Sequence, residues 1–399
     1  FFKNINMDWF SYLKLRGSWG KLGNERIGAY DDDGNFIYNY YPYQAAIDYS
    51  TALFQNSQGI VSSVTTAAQQ KYAVRDISWE TTESWDIGLD ANFLDNRLHF
   101  SADYYRKNTK DMLLALEIPH FIGYDNPEVN AGNMHTTGYD IEVGWRDKVG
   151  DFTYSISANL SDFTSKMGNL NGTQFLGNQV KMEGSEYNEW YGYVSDGLFL
   201  TQEDVDKSPK LNNSVKVGDI KYKDVNNDGV INSNDMIPMG YNSVWPEIYY
   251  GFNVGLEWKG LGFNAYFQGV GNYTAWLTSS VYRPLINNTS ISQYAYENRW
   301  TPENPNARFP RLTTENVENN TQSSSVWLQD RSFLKLRNCE VYYKIPSAWL
   351  NKIKMKTAKV YVRGTDLFSI DKIDLTDPEA IGDVYPATRS IHIGLSLGL

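Results

Sequence analysis

From Glu83 to Arg106 the chain reads ESWDIGLDANFLDNRLHFSADYYR. Side chains alternate with a period of two. Trp85, Ile87, Leu89, Ala91 and Phe93 fall on one side of an extended strand, and Asp86, Gly88, Asp90 and Asn92 on the other. After Leu94-Asp95-Asn96-Arg97 the pattern restarts. Leu98, Phe100, Ala102 and Tyr104 alternate with His99, Ser101, Asp103 and Tyr105. Two such runs joined by an Asp/Asn turn predict a β-hairpin with one apolar and one polar face. Each run has about nine residues or more, enough for a tilted strand to cross a bilayer's hydrocarbon layer.

The same pattern returns along the chain. Tyr139 to Trp145 and Phe152 to Leu160 form a second hairpin around Asp147–Gly150. Ile248 to Trp258 and Phe263 to Phe267 form a third around Lys259–Gly262. Single strands are predicted near Asp8–Gly20, Arg331–Lys344, Lys359–Asp366 and Ile391–Leu399. The phase slips near Asn338, which predicts a β-bulge. About ten strands result, joined by short and long connections in turn, with no sustained period in the long ones. Membrane barrels show this asymmetry, with tight periplasmic turns and extended outward loops.

Composition agrees. The 29 Tyr and 12 Trp suit aromatic girdles at lipid–water boundaries, and they also suit sugar-binding surfaces. No apolar run approaches a spanning helix. A net charge of -11 speaks against nucleic acid as a partner. The single cysteine, Cys339, excludes an internal disulfide framework and a thiolate-rich zinc site. No nucleophile elbow or dinucleotide loop has its required strand–turn–helix context, so no catalytic residue is assigned.

The sharpest local motif is DVNNDGVINSND. Asp224, Asn226, Asp228, Val230 (through its carbonyl), Asn232 and Asp235 occupy positions 1, 3, 5, 7, 9 and 12 of a calcium loop, with Gly229 at the turn. A hard cation takes six to eight oxygens, and this spacing curls them around one centre. Position 12 is Asp rather than the bidentate Glu, which lowers affinity or turns the site toward magnesium. The competing reading is an acidic turn that binds nothing. Aromatic residues crowd the loops, among them Tyr38, Tyr40, Tyr43, Trp190, Tyr193, Trp276, Tyr282 and Trp327. They suit capture of sugar or peptide, but for any one of them packing between loops is the favoured role.

Several stretches resemble the C-terminal barrel region of the SusC/RagA-type TonB-dependent transporters of Bacteroidetes outer membranes. They are LKLRGSWGKLGN, WDIGLDANFLDNRLHFSADYYRKNTKDML, VNAGNMHTTGYDIEVGW, GDIKYKDVNNDGVINSND, ARFPRL and SFLKLRNCEVYYKIP. The resemblance implies an all-β antiparallel transmembrane barrel of about 22 strands, plugged from within. Residues 1–399 would be its C-terminal part, with the plug and remaining strands upstream. It also implies a SusD-type lipoprotein lid, TonB as energy source through the upstream region, and oligosaccharide or peptide substrates. On this reading Trp85, Ile141, Phe252 and Leu395 meet lipid. Asp90, Asp140, Glu142, Glu257, Arg337 and Arg363 face the lumen. The alternatives are a soluble or surface-exposed calcium-stabilised carbohydrate-binding β-protein without transport activity, and a passive porin-like channel.

Overall fold

The computed structural model describes residues 9–398 apart from 31–32, 46, 70–71, 117, 119–120, 122, 125, 171, 243–244, 278, 286–288, 315–317, 351–353, 382–384 and 386. Ten strands make one antiparallel sheet in which chain order and sheet order coincide. They are β1 (Phe10–Asn24), β2 (Glu80–Phe93), β3 (Leu98–Lys110), β4 (Met134–Val149), β5 (Phe152–Met167), β6 (Ile248–Trp258), β7 (Leu261–Gly271), β8 (Phe333–Lys344), β9 (Thr357–Asp371) and β10 (Ser390–Gly398). Strands of 9 to 16 residues are long enough to span a bilayer.

Register carries the alternation across the whole wall. Directly paired residues share a face, so Leu15, Leu89, Ala102, Ile141, Leu160 and Tyr250 form one apolar row. The next row is Lys14, Asp90, Ser101, Glu142, Asn159 and Gly251. Trp85, Phe252 and Leu395 lie on the apolar face. Among the described residues no second layer covers it: Ile87 is 62% and Ile393 81% exposed. The clusters of buried apolar side chains lie in the loops and at the loop ends of strands. A sandwich would bury these residues against a partner sheet. Here they face outward, where lipid recovers roughly 1.5–3 kcal/mol for each fully buried apolar side chain.

The polar face is concave. A hollow of about 440 Å³ on it is lined by Ser155, Asn253, Asn264, Tyr266, Asn338, Glu340 and Arg363. Tyrosines lie flat over glycines there, Tyr342 across Gly262 and Tyr361 across Gly394, and a Cβ at either glycine would run into the ring. The predicted bulge is present at Arg337, where pairing to both neighbours shifts by one residue.

Two expectations need correction. The second and third turns are tighter than the sequence suggested. Pairing continues to Val149↔Phe152 and Trp258↔Leu261, leaving only Gly150-Asp151 and Lys259-Gly260 as turns. Positive φ at Gly150, Lys259 and Gly260 allows this. The stretch from Ser161 to about Trp245, which reads as irregular, instead continues β5 to Met167 and then folds into a four-stranded sheet (Gln174–Phe175, Gln179–Lys181, Glu189–Tyr193, Met236–Asn242) and a pair (Ser195–Leu198 with Ile220–Tyr222). Its loop strands are too short to show a period.

Because strands alternate in direction, the short turns gather at one end of the wall. The segments 25–79, 111–133, 168–247, 272–332 and 372–389 gather at the other. The strands β1 and β10 each pair on one side only, so the sheet is an open part of a barrel.

Candidate functional site: the charged inner wall and its loop canopy

Side chains that would cost heavily in lipid are paired on the concave face. Arg16 of β1 reaches across β2 to Asp90 (2.9 Å) and on to Asp103 of β3 (2.7 Å), while the Ser101 hydroxyl donates to Asp90 (2.8 Å). Glu340 receives Lys359 and Arg363 Nε, both at 2.9 Å. Glu257 receives Lys344 and the Tyr342 hydroxyl, both at 2.7 Å. The expected lumen residues Asp90, Glu257, Arg337 and Arg363 therefore sit in interstrand networks. Asp140 and Glu142 share their face by register.

Asp377 and Glu379, which follow β9, fold back onto this wall. Lys335, only 2% exposed, holds Asp377 (2.5 Å) and Glu379 (2.8 Å). The bulge turns Arg337 to Gln268 (2.9 Å), Asp366 (2.9 Å) and Glu379. An extra residue in the strand thus gives the loop a second anchor.

The 168–247 and 272–332 loops build one apolar core. Trp190, Tyr193, Ile220, Tyr222 and Ile231 of the first pack with Trp276, Leu277, Tyr282, Phe309 and Trp327 of the second. Trp190, Tyr193, Trp276, Tyr282 and Trp327 are therefore built into the canopy core. Tyr38, Tyr40, Tyr41, Tyr43 and Tyr296 stay exposed. Fully buried Asp219 fastens the two loops. It accepts from Arg311 Nε (2.7 Å) and the second guanidinium nitrogen (3.3 Å), from Asn320 (2.8 Å) and from the Lys216 amide (2.8 Å). Asn320 in turn accepts from the Ile220 amide at 3.0 Å. The ARFPRL motif owes its two arginines and its phenylalanine to this canopy: Arg308 reaches Tyr294 and Asp374, Phe309 stacks on Trp327, and Arg311 holds Asp219.

Three carboxylates meet where the 168–247 segment leaves and rejoins the wall. Burial, then the neighbouring Glu247 and Glu189, push Glu186 up to about 7 against the weaker pull of Lys166. Glu189 is held by the Glu186 and Gly240 amides, and Glu247 by Asn272. Sequence gave no sign of this cluster, because the two ends of the loop lie far apart along the chain.

The acidic motif forms a closed loop. Asp224 accepts from the Gly229 amide (2.8 Å) and the Asp228 amide (3.2 Å). Asn226 accepts from the Asp228 amide and donates to Asp228, each at 2.9 Å. This gathers the first three proposed ligands. Val230 points outward, and Ile231 enters the canopy core. Asp235 is fully buried and accepts from the Val225 and Asn232 amides (both 2.9 Å) and more weakly from Asn226 (3.5 Å). Burial alone would raise its pKa. The backbone N–H bonds outweigh it and hold the carboxyl below its usual range. Position 12 is thus an anchor that ties the loop shut, and Asn232 caps the short 3₁₀ turn beside it. Among the described residues no three acidic, histidine or cysteine side chains converge as a metal cluster. The oxygens of Asp224, Asn226 and Asp228, with main-chain carbonyls, are the donors the loop offers a hard cation.

An open sheet with an apolar outside, a charged inside and long loops at one end defines part of an outer-membrane β-barrel. The family model for the TonB dependent receptor-like β-barrel matches residues 4–229, and the chain belongs to that family. It is 29% identical over 98% of its length to TonB-dependent receptor P26 of Formosa agariphila, and 24% identical over its full length to TonB-dependent receptor SusC of Bacteroides thetaiotaomicron. The chain spans 40% and 38% of those relatives. Its fold superposes on the RagAB peptide transporter with a TM-score of 0.73, at 22% identity, covering 99% of this chain and 42% of that one.

Proposed function

We propose that this chain supplies the wall and canopy of an energised importer of oligosaccharides or peptides across the outer membrane. The observation that carries the reading is the union of a lipid-facing exterior, a paired-charge interior and a canopy fastened over one end. In the whole protein, strands beyond β1 and β10 close the barrel, since an open edge would strand backbone groups in lipid. A plug fills the lumen and couples to TonB, and a SusD-type lipoprotein covers the canopy. The names of the SusC and RagAB relatives support the uptake reading, and the exposed Tyr38, Tyr40, Tyr41 and Tyr43 suit a substrate with flat or apolar faces. The test is growth of the native host, with the full-length gene deleted, on single polymeric nutrients. Loss on one nutrient, restored by the gene but not when TonB is absent, supports the proposal. A constant open conductance of the purified full-length protein would point instead to a passive pore.

The cation loop belongs to the same proposal. Asp224, Asn226 and Asp228, the Val230 carbonyl and Asn232 would hold calcium or magnesium, with Asp235 anchoring the loop, and so stiffen the canopy. Calcium addition should slow proteolysis within 216–240 in the full-length protein, and D224N/D228N should abolish that protection. Equal cleavage with calcium or chelator would remove the cation from the account.

A further inference from the structure

Arg283 is a half-buried cation that meets no counter-charge among the described residues. One guanidinium nitrogen donates to the Thr321 carbonyl at 2.8 Å, and the group lies 4.9 Å from the centre of the Trp327 ring. Its Nε is buried and makes no hydrogen bond. No ion pair reaches it among the described residues, while neighbouring Arg311 is paired with Asp219. Burial pulls the guanidinium below its usual pKa, with only the Tyr222 ring acting the other way. Trp327 is in the same condition: the side chain is 4% exposed and its indole N–H is buried without an acceptor. Both residues line one half-open cavity of about 50 Å³, together with Tyr282, Phe309, Thr321 and Arg311, the last already paired with Asp219.

A buried guanidinium Nε–H and a buried indole N–H without acceptors are each costly, and the cost is recovered when an acceptor arrives. The cavity has room for about three to five water-sized groups. That matches a carboxylate and the carbon that bears it. Asn320 and Thr321 also line it beside aromatic and aliphatic side chains, so the pocket offers a planar anion two unsatisfied donors in a mainly apolar surround. We propose that this cavity is a carboxylate subsite, in which Arg283 and Trp327 receive an acidic group of the cargo. The inference deepens the uptake reading by naming anionic cargo. Its test reads binding alone, so it can fail while uptake stands, or stand while uptake fails.

The probe is acetate, with acetamide as its neutral isostere, followed by saturation-transfer NMR on the detergent-solubilised full-length protein. Acetate should bind at least tenfold more tightly than acetamide. R283Q should abolish the difference. W327F, which keeps the ring and removes the N–H, should weaken acetate severalfold. Equal binding of the two probes by the wild type overturns the proposal, and that comparison needs no variant to fold. Undiminished acetate binding in R283Q also overturns it. So does a wild type that ignores acetate while R283Q loses a co-purifying lipoprotein, which would assign the site to a protein carboxylate.

Discussion

Replacing Asp219 by Ala should unfasten the two large loops from each other while leaving the wall intact. Its carboxylate is fully buried and takes four hydrogen bonds, two of them from Arg311. Removing one partner of a buried ion pair costs about 3–5 kcal/mol, because the other charge is left behind. Arg311 keeps some water contact, with 18% of its side chain exposed, so the low end of about 3 kcal/mol applies. That corresponds to roughly a hundredfold rise in the opening equilibrium. Hydrogen–deuterium exchange should show it as about a hundredfold faster exchange around Ile220 and Asn320, with β4 and β5 unchanged. The double variant D219L/R311M removes both charges and should exchange far more slowly than D219A. Acceleration of less than threefold in D219A, or equal acceleration in the wall strands, would refute the assignment of this pair as the fastener.

The Glu186 cluster gives a pH dependence. Its folded pKa of about 7 lies above the ordinary 4.5, so the folded loop binds the extra proton. This contribution is complete below about pH 4.5 and is lost as pH rises through 7. Fluorescence of Trp245, stacked on Tyr187 at 5.7 Å, should report looser packing across that window, and E186Q should flatten the response. On the wall, V143R should cost about 2–4 kcal/mol of bilayer stability in urea titrations, since its outward site is near mid-strand. S157R, on the inward face, should cost clearly less than V143R by the same measure.

The faces of the wall were legible because a half-exposed strand must alternate, and Trp85, Ile141 and Phe252 declared their side residue by residue. The phase slip that marks the Arg337 bulge was legible for the same reason. The canopy was not. Asp219 and Arg311 lie on different loops, and no local pattern links them. Loop strands of two to five residues, such as Gln174–Phe175 and Glu189–Tyr193, are too short for a period to show. The acidic motif was visible as spacing, but the anchoring of Asp235 on backbone amides depends on how the loop folds. The carboxylate cluster at Glu186 and the lone guanidinium of Arg283 likewise arise from tertiary placement.

Which face of the wall meets lipid can be measured at two consecutive residues of β4. Nitroxide labels at Glu142 and Val143, placed one at a time in the full-length protein with Cys339 replaced, would be read in bilayers against oxygen and a water-soluble nickel chelate. The expected result is a Val143 label open to oxygen and shielded from nickel, and a Glu142 label with no such preference. A Val143 label reached by nickel, or sealed from both reagents as in a dry interior, would contradict the barrel.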